Sequence, residues 1–140
     1  MSTRHQARAA AIQALYLWEV GRVGPGEALE TYFREHQADA GDASRALTET
    51  LVHGTVSEVA AIDPIIERHS QHWRLERLAV IDRLILRMAI WELQHEPETP
   101  APVVIDEALE LARTFGTDES VRFVNGVLDA VRKTIEGQKA

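Results

Sequence analysis

Arg4, His5 and Arg8 stand within the opening eight residues of a chain whose first carboxylate is Glu19. Arg4 and Arg8 are four apart, so on a helix their guanidinium groups project from one face. Two cations at that spacing suit phosphate oxygens. Single strands of nucleic acid are held by such charges together with rings on which bases stack. Tyr16, Trp73 and Phe123 are the candidate rings. Negative charge gathers later: between Glu92 and Glu119 there are eight acids against the single Arg113. Asp82, Glu107, Glu110, Asp118 and Glu119 make an anionic lobe suited to draw in a basic protein. A cationic start and an anionic later region imply two different partners.

Each of these residues also has a plainer reading. Arg4 and Arg8 could belong to a solvated terminus, Tyr16 and Phe123 to a core, and Asp82 to the neutralisation of a nearby arginine. The pair Asn125-Gly126 fits a binding contact or a close helix packing equally well. His69-x-x-His72 has a spacing that can hold a metal, but no cysteine accompanies it and a helix end is expected between the two, so no metal site is expected. There is no Gly-x-x-x-x-Gly-Lys loop, no Gly-x-Ser-x-Gly and no His-Glu-x-x-His, and hence no expected catalytic residue or cofactor.

These residues need a frame. A chain of 140 residues with 45% hydrophobic content is one domain by size and can bury a core. It has no cysteine, and it opens polar and then alanine-rich without an apolar signal core, which favours a cytoplasmic protein without disulfides. Its net charge of −7 argues against nonspecific attraction to nucleic acid or to an acidic membrane.

The stretch Leu75–Leu93 organises the remainder. At about 100° per residue, Glu76, Arg83, Arg87 and Gln94 share one narrow wet stripe and nearly all else is apolar. That pattern predicts a central helix of roughly five turns, too charged to cross a bilayer and needing neighbours on several sides. Before it, the sequence predicts a first helix from Arg4 to Val20 stopping near Gly21, and a second over Glu27–His36. After a loop with Gly41, a long third helix is expected over Ala43–Ile62. Asp63-Pro64 reads as a capped restart for a fourth helix over Pro64–Ser70, with a bend at His72-Trp73. After the prolines of His95–Pro102, a sixth helix spans Val103–Phe115 and ends at Gly116. A seventh, capped by Thr117 or Asp118, runs through Asn125-Gly126 to a stop at Gly137. The fold class is all-α, seven helices with no strand.

Five blocks then resemble the NusB family of transcription antitermination factors: ARAAAIQALYLWE (Ala7–Glu19), IDPIIERHSQHWRLERL (Ile62–Leu78), DRLILRMAIWEL (Asp82–Leu93), VVIDEALELARTFGTDES (Val103–Ser120) and RFVNGVLD (Arg122–Asp129). They fall in the family's order. Gly21–Asp42 matches least. The resemblance implies one domain of two small packed helical bundles, residues 1–72 and 73–140, and a role that is not enzymatic. It implies pairing with the ribosomal protein NusE, binding of the single-stranded boxA element of nascent ribosomal RNA, and entry into an RNA polymerase antitermination complex. It assigns RNA contact to the start of the first helix, here Arg4, His5 and Arg8, with His5 and Gln6 thinning the usual arginine run. It assigns a share of that contact to Glu119, Arg122, Phe123 and Asn125 at the start of the last helix, and the NusE contact to Tyr16 and Asp82. The rival expectation is a homodimeric scaffold that never touches RNA. A methyltransferase bearing such a module is the lesser rival, since no strand and glycine loop for a cofactor appears before Ala140.

Overall fold

The computed structural model describes residues 3–36, 41–71 and 73–139. Among them are seven α-helices and no strand: α1 (Thr3–Gly21), α2 (Pro25–Glu35), α3 (Asp42–Ser57), α4 (Val59–His69), α5 (Val80–His95), α6 (Ala101–Phe115) and α7 (Asp118–Lys139). Most of the loop expected before Gly41, and His72 with its part in the expected bend and in the His69-x-x-His72 spacing, lie outside the described residues. Contacts divide the chain into two units, residues 1–57 and 58–140.

The first unit is built on the alanines of α1. Ala7, Ala11 and Ala14 are fully buried and Ala10 nearly so, which lets α3 approach closely. Thr48 of α3 uses that proximity: its hydroxyl lies 2.8 Å from the Ser44 carbonyl and 3.3 Å from that of Ala7. Ile12, Leu15 and Leu51 fill the centre, and α2 adds Ala28, Leu29 and Phe33. The Arg45 guanidinium lies 4.4 Å above the Phe33 ring, a cation–π contact that tethers α3 to α2. α1 ends at Gly21 as expected, but the left-handed residue is Arg22, with φ 56°. Glycine is the cheaper occupant of that conformation, and here it stands one position early.

The second unit wraps α4, α6 and α7 around α5. Every residue from Leu84 to Glu92 is buried, as a central helix requires. Its start differs from the expectation. Leu75–Arg77 form a 3₁₀ turn, Leu78 and Ala79 are extended (ψ 148° and 140°), and the α-helix begins only at Val80. Leu78 turns inward instead of extending the helix, and the Arg83 side chain donates to the Leu75 carbonyl at 3.2 Å.

Arg87 corrects the expected wet stripe. It is 5% exposed, and its Nε and an Nη donate to the two carboxylate oxygens of Asp63 at 2.8 and 2.9 Å. The same pair moves a helix boundary. Asp63 is drawn to Arg87 and does not cap a new helix, so the break falls at Glu58, whose carbonyl accepts from Ile62 at 2.9 Å. Pro64 is therefore inside α4, where its missing N–H deprives only the carbonyl of the exposed Ala60. α4 packs with α5 and α7, so the contact boundary lies well before the expected division at 72/73.

The α6–α7 turn is compact. Thr117 is the cap: its hydroxyl accepts from the Ser120 N–H at 3.1 Å, while Ser120 Oγ accepts from the Thr117 N–H at 3.2 Å. Gly116 is required here by space, because a Cβ would come within 2.7 Å of Ser120 Oγ. α7 continues through Asn125-Gly126 as expected and also through Gly137, where a stop was expected.

Candidate nucleic-acid interface

In the second unit a groove of about 280 Å³ runs between the end of α4 and one face of α7. Arg122, Phe123 and Gly126 of α7 line it at helical spacing, opposite His69, Gln71 and Trp73. His69 is a brace and not a free ligand: Nδ1 donates to the Ile65 carbonyl at 2.7 Å and Nε2 meets Thr134 Oγ1 of α7 at 3.0 Å. The turn after it is tightly held. Ser70, 1% exposed, donates from Oγ to the Trp73 carbonyl at 2.9 Å, and the Trp73 N–H returns to the Ser70 carbonyl at 3.2 Å. Gln71 takes a left-handed φ of 49° to close the turn. The outcome is an indole presented to solvent, 56% exposed.

Gly126 distinguishes its two readings. A Cβ there would meet nothing within 4 Å, so close helix packing does not require the glycine. An interior glycine costs about 1 kcal/mol against alanine, and this one leaves bare backbone on the groove. Phe123 is half-buried and lines the groove instead of filling the core, and Arg122 is exposed. Glu119 and Asn125 are exposed near the same end of α7 but outside the groove lining.

On the first unit, Arg4 is exposed and His5 is partly so. Arg8 does not project beside Arg4: it is 4% exposed and engaged in an interaction of its own. A buried guanidinium must be partnered. Tyr16 is 43% exposed, with Val20 one turn on at 52%, so α1 offers an apolar patch to solvent.

Asp82 is the second correction. Expected as an outward charge, it is 8% exposed, and its Oδ1 has no hydrogen-bond partner among the described residues. Burial pushes its carboxyl above the ordinary 3.8, and a hydrogen bond with the Ser120 side chain opposes this only in part. Of the remaining acidic lobe, Glu110 is paired with Arg113 at 2.6 Å, while Asp118 and Glu119 are open to solvent. Among the described residues no cluster of three or more potential metal ligands occurs, and no helix is long and apolar enough to cross a membrane.

The groove as a unit was hidden from sequence reading. Trp73 and Phe123 stood out as single aromatics, but nothing local pairs the end of α4 with α7. Gly126 was visible as an interior glycine, but only the structure shows that no packing neighbour requires it.

Helical bundles carrying a ring-and-guanidinium groove and an exposed tyrosine patch define a helical recognition module. The chain belongs to the NusB family, whose model matches residues 5–133. It is 46% identical over 133 residues to the transcription antitermination protein NusB of Solibacter usitatus, covering 95% of this chain and 90% of that one. Among solved structures it is similar, at a TM-score of 0.90 and 29% identity, to a chain in a crystal structure of a plectonemic RNA supercoil, covering 97% of this chain and 98% of that one. It is also similar, at 0.87 and 28% identity, to a chain in the crystal structure of antitermination factors NusB and NusE in complex with double-stranded RNA, covering 96% and 98%. The all-helical fold implied by the resemblance is thus the fold observed.

Proposed function

We propose that this protein is a transcription antitermination factor that binds RNA together with NusE and catalyses no reaction. The observation that carries this reading is the match, over nearly all of both chains, to a chain of the NusB–NusE–RNA complex. More finely, the RNA is the boxA element of nascent ribosomal RNA, and the complex acts on RNA polymerase in the cytoplasm. Arg4, His5, Arg122 and Phe123 are the RNA-facing residues. Arg8 belongs to the same cationic start of α1, and Tyr16 with Val20 is the surface for NusE. Asp118 and Glu119 attract the basic partner, a long-range pull that a buried Asp82 is poorly placed to exert.

The magnitudes favour shared binding. Each phosphate neutralised on a single strand contributes about −0.7 to the salt slope. Arg4 and Arg122 together give about −1.4, roughly a sevenfold loss of affinity between 50 and 200 mM salt. That is a weak hold, and a basic partner must supply the rest. The test titrates boxA RNA, single- and double-stranded, against scrambled controls, with the protein alone and with NusE. The expected result is weak binding alone with that shallow slope, and tighter boxA-selective binding with NusE. Nanomolar binding alone at physiological salt would contradict the division of labour. A complex with NusE that never binds RNA would favour the homodimeric or scaffold reading.

A further inference from the structure

We propose that Trp73 is a base-stacking residue and that the groove it shares with Phe123 receives one unpaired RNA base, with Arg122 on an adjoining phosphate. This rests on the RNA-binding reading above and adds a residue and a subsite to it. Three observations converge. The indole is held out to solvent by a turn closed by hydrogen bonds with a buried Ser70 and by a left-handed Gln71. The facing wall of α7 offers a second ring, and at Gly126 bare backbone that a flat base can approach without meeting a side chain. In a chain of net charge −7, the groove lining contains, among the described residues, an arginine and a histidine and no carboxylate. Rings plus a guanidinium, with negative charge excluded, is the chemistry that takes a nucleotide from a single strand.

His69 sets the walls. Its two ring nitrogens join the Ile65 carbonyl on α4 to Thr134 on α7, fixing the groove without a ligand present. The base therefore enters a preformed slot, and little ordering is charged against binding.

The experiment uses the protein with NusE and a boxA oligoribonucleotide, intact or with an abasic residue at each position in turn. Trp73→Ala is expected to weaken the intact RNA about tenfold, the size of one lost stack, and Trp73→Phe to restore most of it. One abasic position should weaken the unaltered protein by a similar factor and cost Trp73→Ala nothing more, because both remove the same contact. Gly126→Leu, which fills the groove from a position with open space around it, should weaken RNA as much while the thermal midpoint does not fall, since an interior helical glycine is the poorer helix former. Equal RNA affinity in Trp73→Ala and the unaltered protein, or additive losses at every abasic position, overturns the stacking role. Loss of NusE binding in Trp73→Ala with RNA contacts intact overturns it too, by assigning the groove to protein. Absence of RNA binding by the unaltered complex overturns the RNA reading itself, a result distinguishable from the others.

Discussion

Arg87→Ala should lower the stability of the fold by about 3–5 kcal/mol, the largest effect of any single change considered, because it removes one half of a buried ion pair. Arg87 and Asp63 are 6% and 20% exposed at their side chains and meet through two parallel hydrogen bonds. The cost comes less from the lost attraction than from the Asp63 carboxylate left behind without its guanidinium. The pair joins α4 to α5, so α4 and the groove it borders should loosen first. Removing both charges should be milder: Asp63→Ala combined with Arg87→Met keeps the apolar volume and leaves no orphan, and should recover most of the loss. Urea unfolding of the two single variants and the double checks this. Additive losses would mean that the two residues act separately.

Asp82→Lys should also destabilise the fold, by about 3 kcal/mol, before any effect on a partner is measured. A lysine there would bring a positive charge into a site 8% exposed and into the first turn of α5, where the helix dipole disfavours cations. Asp82→Asn has the opposite sign at neutral pH. The folded chain holds the Asp82 proton more tightly than the unfolded chain, because burial raises the carboxyl above 3.8. The associated stability is fully present below 3.8 and is lost as pH rises through the raised value. Above that range asparagine avoids the buried charge, so Asp82→Asn should melt higher than the unaltered protein. The gap should close as pH falls toward 3.8, which thermal melts across a pH series would show. A constant gap would mean that desolvation of this carboxyl is not its cause.

Much of the fold is legible in local pattern. Helical spacing located all seven helices, and the density of apolar residues between Leu84 and Leu93 marked α5 as central. What was not legible depended on pairing at a distance. A helical wheel assigns any arginine to water, yet Arg87 is buried because Asp63, far away in sequence, awaits it. The same pairing removed Asp63 from its expected capping role and left Pro64 inside α4. Arg8 shows the rule again: its spacing from Arg4 fitted a shared face, but it is buried while Arg4 is exposed. Tyr16 as a NusE contact and Arg122 as an RNA contact, candidates through the resemblance alone, are exposed. Trp73 and Gly126 gained a joint meaning only once the α4–α7 groove was known.

The central claim is that this chain itself touches the transcript, through the groove between α4 and α7. Ultraviolet crosslinking of the complex with NusE and boxA RNA, followed by trypsin and mass spectrometry, tests it most directly. Cleavage after arginine isolates residues 69–74, which carry Trp73, and residues 123–132, which carry Phe123 and Gly126. Ribonucleotide adducts on both peptides are the expected result. Adducts confined to NusE, with both of these peptides recovered unmodified, would contradict the account.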